Sequence, residues 1–77
     1  MDLSNKVVTI EDEEYLVISC IEHKGKYYVY LVNKDNQEDT KFREVVKEND
    51  DIFFDPIDAE LFQTEIFDLF NEDIDKE

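Results

Sequence analysis

Six consecutive residues, Tyr27-Tyr28-Val29-Tyr30-Leu31-Val32, carry no charge and no polar side-chain group beyond the tyrosine hydroxyls. The run is too short for a typical helix, and its β-branched and aromatic side chains predict a strand. Alternation puts Tyr28, Tyr30 and Val32 on one face and Tyr27, Val29 and Leu31 on the other. A strand that is apolar on both sides needs cover on both. Tyrosine relaxes that demand, because its ring can be buried with its hydroxyl in water, so one face can be half covered.

The rest of the chain is organised around this run. Lys6-Val7-Val8-Thr9-Ile10 reads as a short strand, followed by an acidic turn, Glu11-Asp12-Glu13-Glu14. Tyr15 to Glu22 is a second strand, with Leu16, Ile18 and Cys20 expected on one face and Tyr15, Val17, Ser19 and Ile21 on the other. His23-Lys24-Gly25-Lys26 holds the single glycine, placed where a tight hairpin needs positive φ. Asn33 to Thr40 is a polar loop. Lys41-Phe42-Arg43-Glu44-Val45-Val46-Lys47 reads as a fourth strand, and its terminal charges suit a sheet edge. Glu48-Asn49-Asp50-Asp51 is a second acidic turn, and Ile52-Phe53-Phe54 returns to extended chain.

A helix closes the sequence. From Asp58 the apolar residues fall at Ala59, Phe62, Ile66, Leu69 and Phe70, with Leu61 and Phe67 widening the stripe. Asp58 is the preferred N-cap, since Ile57 and Phe62 can then form a hydrophobic staple. The rival start is Asp55 with Pro56 at the first helical position. A broad aromatic stripe must be buried, and the sheet is the one surface available to it. The expected fold is α+β: an antiparallel β-meander of about four strands with one C-terminal amphipathic helix packed on one face. Residues 1–71 form a single small acidic domain and 72–77 a frayed acidic tail.

Seventy-seven residues support one small core and a stability at the low end of the usual range of about 5–15 kcal/mol. The net charge of −14 is unevenly placed: −3 over residues 1–47 and −11 over residues 48–77. Four Tyr and six Phe in periodic runs distinguish the chain from disordered acidic tails. Cys20 is the only cysteine. Its apolar neighbours make it a small buried hydrophobe rather than a reactive thiol. No leader-like apolar segment follows Met1, and no stretch approaches the roughly 18 apolar residues of a membrane span, so a cytoplasmic location is expected.

In the order and spacing of its elements the chain resembles the small acidic YrzB-like domains of unknown function, found mainly in Gram-positive bacteria. The resemblance runs from about Val7 to Asn71. It is carried by the acidic turn Glu11–Glu14, the hairpin His23–Val32, the strand Phe42–Val46 and the proline-isoleucine-acid lead into the helix at Pro56–Phe70. The first turn departs from the family's pattern, which often has Asp-Gly or Gly-Asn where this chain has no glycine. The resemblance implies a β-meander with a C-terminal helix, no assigned activity and no catalytic residues.

The residues point away from catalysis. The single histidine, His23, is expected in an exposed turn, without the orienting partner that a catalytic or metal-ligating imidazole needs. No Cys/His set has zinc spacing, and one glycine cannot build a phosphate loop. No Ser, Cys or Thr has a base and an orienter, and a cleft holding two carboxylates at fixed separation is not expected on so thin a domain. Residues 33–39 resemble a cation loop superficially, yet lack the central glycine and terminal bidentate Glu of a calcium site. Hence no catalytic residues, no metal and no cofactor are expected. Direct binding to nucleic acid is disfavoured, because acids interrupt both basic groups, Lys24/Lys26 and Lys41/Arg43/Lys47. Negative charge likewise disfavours anionic membranes.

What the charge favours is an acidic interaction module for a basic protein surface. Asp50, Asp51, Asp55, Asp58, Glu60, Glu65, Asp68 and Glu72 would form the contact. One alternative is a nucleic-acid mimic that blocks the basic groove of a nucleic-acid-binding protein, with Glu60, Glu65, Asp68 and Glu72 imitating phosphates. Another is a structural homodimer through exposed aromatics, around Tyr28 and Tyr30 or around Leu61 and Phe67. The acids Glu72, Asp73, Asp75 and Glu77 crowd the negative end of the helix dipole. Salt should therefore relieve repulsion, and the melting temperature is expected to rise between low and moderate ionic strength. Superimposable thermal melts would contradict that expectation.

Overall fold

A computed structural model describes residues 3–75. Five antiparallel strands form one sheet in chain order: β1 (Val7–Ile10), β2 (Glu13–His23), β3 (Lys26–Asn33), β4 (Thr40–Glu48) and β5 (Asp51–Pro56). A single helix, α1, covers residues 59–75. It comprises Ala59–Leu61, a π-helical segment Phe62–Ile66 and Phe67–Asp75. The α+β meander with a C-terminal helix is as expected, with two corrections. The extended segment Ile52–Phe54 is a true fifth strand, paired with β4 through Lys47↔Ile52, Val46↔Phe53 and Val45↔Phe54. That pairing makes β4 an interior strand, and the sheet edges are β1 and β5.

The register of β2 against β3 shifts between Val17 and Ser19. Such a bulge lets the side-chain alternation slip by one residue. Tyr15 and Val17 therefore share a cluster with Cys20, while Ile21 lies with the helix and Ser19 bonds to it. This corrects the strict alternation, which put Cys20 opposite Tyr15 and Val17. In β3 the alternation is regular, and Tyr28 and Tyr30 lie on one face, Tyr27, Val29 and Leu31 on the other.

Both faces are buried, by different means. On the inner face Tyr15, Val17, Val29, Leu31 and Val45 meet Val8 and Ile10 of β1 and Phe54 of β5. Strands at opposite ends of the order share this cluster because the sheet curls towards a barrel. Cys20 packs here, half-buried. On the outer face α1 lays Ile66 and Phe70 over Tyr28, all three fully buried. Phe42 is the hub of that contact. Its ring stacks on Tyr30 at 4.7 Å and meets Phe62 at 4.8 Å and Phe70 at 5.1 Å between centroids. Each such aromatic contact adds about 0.5–1.5 kcal/mol to its area burial. The Tyr28/Tyr30 face, expected to be open for a homodimer, is therefore occupied by the protein's own helix.

Helix α1 starts where the staple argument places it. The Asp58 side chain accepts from the Leu61 N–H at 3.0 Å, and Ile57 and Phe62 join the same outer cluster. The stripe itself differs from a regular 3.6-residue pattern. Phe67 N–H bonds to Phe62 C=O, an i→i+5 turn that brings residues five apart onto one face. Leu61 thereby joins Ile66 in the cluster, Phe62 and Phe67 rings approach to 5.7 Å, and Ala59, expected in the stripe, is exposed. The helix is continuous to Asp75; Lys76 and Glu77, the end of the expected tail 72–77, lie outside the described residues.

Three two-residue turns join β1–β2, β2–β3 and β4–β5. Lys24 and Gly25 have φ of 52° and 80°, the sign pattern of a type I′ hairpin, as the glycine suggested. Glu11 and Asp12 make the same turn, with φ of 51° and 68° and no glycine. A left-handed backbone is unfavourable for side chains of this size. Asp12→Gly is expected to stabilise the fold by about 0.5–1 kcal/mol, net of glycine's greater freedom in the unfolded chain. A urea midpoint that is unchanged or lower would show that this turn carries no such strain.

Candidate interaction surface

The acids singled out by charge fall along one continuous stretch of chain. Asp50 and Asp51 lie at the β4–β5 turn, Asp55 on edge strand β5, Asp58 at the helix N-cap, and Glu60, Glu65, Asp68 and Glu72 along α1. All but Glu65 are exposed. Among the described residues, Asp50, Asp51, Asp55, Glu60, Asp68 and Glu72 have no cation within ion-pair distance.

Glu65 is different, and so is His23. The His23 Nε2 lies 2.8 Å from Glu65 Oε1, and Lys24 Nζ approaches the same oxygen at 3.1 Å. His23 is therefore half-buried against α1 rather than a free turn residue. The bond from His23, followed by that from Lys24, holds the Glu65 carboxyl below its ordinary range. The π turn positions this contact, since Glu65 lies within it. Farther along the helix, Ser19 Oγ donates to Asp73, tying the end of α1 to the bulge of β2.

A second polar cluster closes the Asn33–Thr40 loop. Tyr15 Oη donates to Asp39 Oδ2 at 2.7 Å, Asn33 Nδ2 donates to the same oxygen at 3.2 Å, and Lys41 Nζ reaches Asp39 Oδ1 at 3.3 Å. Lys41 also lies 5.5 Å from the Tyr15 ring centroid, within cation–π range. The tyrosine hydrogen bond, above all, lowers the Asp39 pKa, and the same bond raises that of Tyr15. Asn33 Oδ1 accepts the backbone N–H groups of Asp35 and Asn36, so the loop compared with a cation site is organised by its own side chains. Burial, with Glu44 and Glu65 nearby, raises the pKa of Tyr28 beneath the helix.

None of these three contacts was apparent in the sequence. Their partners lie 24, 42 and 54 positions apart, for Tyr15–Asp39, His23–Glu65 and Ser19–Asp73. Near Cys20 a cleft of about 310 Å³ is lined by Ile21, Glu22, Leu69, Glu72 and Asp73. That lining is acidic, unlike the electropositive setting of reactive thiols. Among the described residues five large apolar side chains are exposed: Val7, Ile52, Phe53, Phe67 and Ile74. No helix among the described residues is long and apolar enough to cross a membrane. No protein-family model, curated protein or solved structure matches the chain.

The two lowered carboxyls fix the sign of an acid response. Each stabilises the fold fully above its unfolded pKa, about 3.9 for Asp and 4.3 for Glu, and loses that contribution as pH falls through the folded value. Asp39→Asn and Glu65→Gln are expected to be less stable than the parent at neutral pH. They should also lose less stability between about pH 5 and pH 2. Urea midpoints measured across that range check this; curves that run parallel to the parent's would overturn it.

Proposed function

We propose that this chain acts by binding rather than catalysis, as an acidic interaction module that docks on a basic protein surface. Segregation of charge within the fold carries the reading. Within residues 1–47, carboxylates meet cations: Glu14 with Lys34, Asp39 with Lys41 and Glu44 with Lys26. From Glu48 to Asp75 the sequence has eleven carboxylates and no Lys, Arg or His. Of the ten from Glu48 to Asp73, only Glu65 finds a cation among the described residues, and it borrows that cation from the β2–β3 turn. Unpaired like charges held close by a fold are repulsive, and a cationic partner relieves that repulsion. The resemblance to YrzB-like domains brings no activity that competes with this reading.

Phosphate mimicry draws less support from the geometry. Glu65 is engaged by His23 and Lys24, and the π turn interrupts the even helical spacing that mimicry relies on. For a basic protein partner no such periodicity is needed. Complementary charge acts mainly on the rate of encounter.

A flexible Lys/Ser copolymer serves as the probe. Its association rate is expected to fall steeply with added salt. Neutralising Asp51, Asp55 and Asp68 to Asn and Glu72 to Gln should lower that rate roughly tenfold at low ionic strength, with the fold intact. Stopped-flow association kinetics read both effects. Rates indifferent to salt and to the four substitutions would refute the proposal.

A further inference from the structure

Strand β5 lies at an edge of the sheet, and five of its six residues are exposed. A two-residue turn bonds the residues that flank it, here Glu48 and Asp51. Alternation then directs the N–H and C=O of Ile52 and Phe54 away from β4. No other backbone segment among the described residues bonds to them. An edge of this kind is a template for one more strand.

The side chains of β5 divide by face. Asp51, Phe53 and Asp55 share the face that bears the helix, and Ile52, Phe54 and Pro56 share the other. Phe53 is 46% exposed and Ile52 39%, large apolar groups with no cover of their own. A second copy of this chain is a poor occupant. Antiparallel pairing of two β5 strands would set aspartates opposite aspartates in the register centred on Phe53 and diagonal to one another in the registers on either side, and like charges so placed repel. The same carboxylates favour a cationic strand, and Phe53 between them offers its ring face to a cation.

We infer that the β5 edge takes up an extended partner segment in which Lys or Arg alternates with apolar residues. The cations would lie along Asp51, Phe53 and Asp55, the apolar side chains would extend the face of Ile52 and Phe54, and main-chain bonds would supply register. The inference rests on the acidic-module reading and adds to it a place, a backbone geometry and a sequence pattern. Opposite edge strand β1 fits such a segment poorly, being four residues long and without a carboxylate in its Val-Val-Thr-Ile sequence.

The test uses the full chain and two synthetic peptides of equal composition, one alternating Lys and Val, the other with Lys and Val in separate blocks. The alternating peptide is expected to bind about tenfold more tightly, since only it can place cations and apolar groups on separate faces of a strand. Amide hydrogen exchange should slow at Ile52 and Phe54 in that complex. Ile52→Pro, at an exposed edge position that tolerates proline, should abolish the preference while NMR dispersion is retained. Asp51→Lys combined with Asp55→Lys should transfer the preference to an alternating Glu/Val peptide, an independent readout should the proline variant not fold. Equal, salt-labile binding of both Lys peptides without protection at Ile52 and Phe54 would overturn the edge inference and leave the charge reading standing. Absence of binding by either peptide at low salt would overturn both.

Discussion

Between Val17 and Ser19 the register of β2 slips by one residue, and the faces of the sheet exchange occupants. Before the slip, Tyr15 and Val17 feed the inner cluster; after it, Cys20 continues that cluster while Ser19 and Ile21 turn to the helix. With unbroken alternation, Cys20 would face the helix and Ser19 would bring an unpaired hydroxyl into an apolar core, a costly burial. Bulges also increase local twist. The curl that gathers Val8 and Ile10 of β1 and Phe54 of β5 into one cluster with Val45 and the buried Leu3 covers the inner face, on which no helix packs among the described residues. One irregularity thus lets a thin sheet bury both sides.

The outer face is sealed by a helix that bends its own periodicity to fit. The π turn draws Leu61 alongside Ile66 and sets Glu65 against His23 and Lys24. Aromatic contacts around Phe42 supply apolar adhesion, and Glu65 and Asp73 supply two polar ties to β2 and its turn. Those two ties consume acids that would otherwise repel their neighbours. Asp51, Asp55, Glu60, Asp68 and Glu72 have no such cation among the described residues, and charge segregation in the sequence becomes charge segregation on the surface.

Much of this architecture is legible in residue order. The all-apolar run of β3 identifies a strand needing cover on both faces, glycine marks one hairpin, and Asp58 with its Ile57/Phe62 pair marks the helix start. The bulge is not legible, because every residue from Tyr15 to Ile21 except Ser19 is apolar or thiol and alternation leaves no mark. The β1–β2 turn is legible as an acidic turn but its left-handed geometry is not, since the residues at positive φ are acids rather than glycine. The charges at both ends of β4 suggested an edge strand, yet β4 pairs on both sides, and Lys41 at its start is engaged by Asp39 and the Tyr15 ring. On the proposed interaction surface, the identity of the acids came from composition. Which of them are engaged internally depended on contacts across 42 and 54 positions, beyond any local pattern.

The distribution of the helix's anchors sets an order of assembly. Most adjacent strands are joined by two-residue turns, so the meander can zip from hairpin to hairpin with little loop-closure entropy. Helix α1 has no such route. Ser19, Tyr28 and Phe42, which it grips, belong to three different strands, and its burial accrues only when all three lie side by side. The helix is therefore expected to dock last in refolding and to detach first in partial opening, exposing Tyr28 while the hairpins still hold.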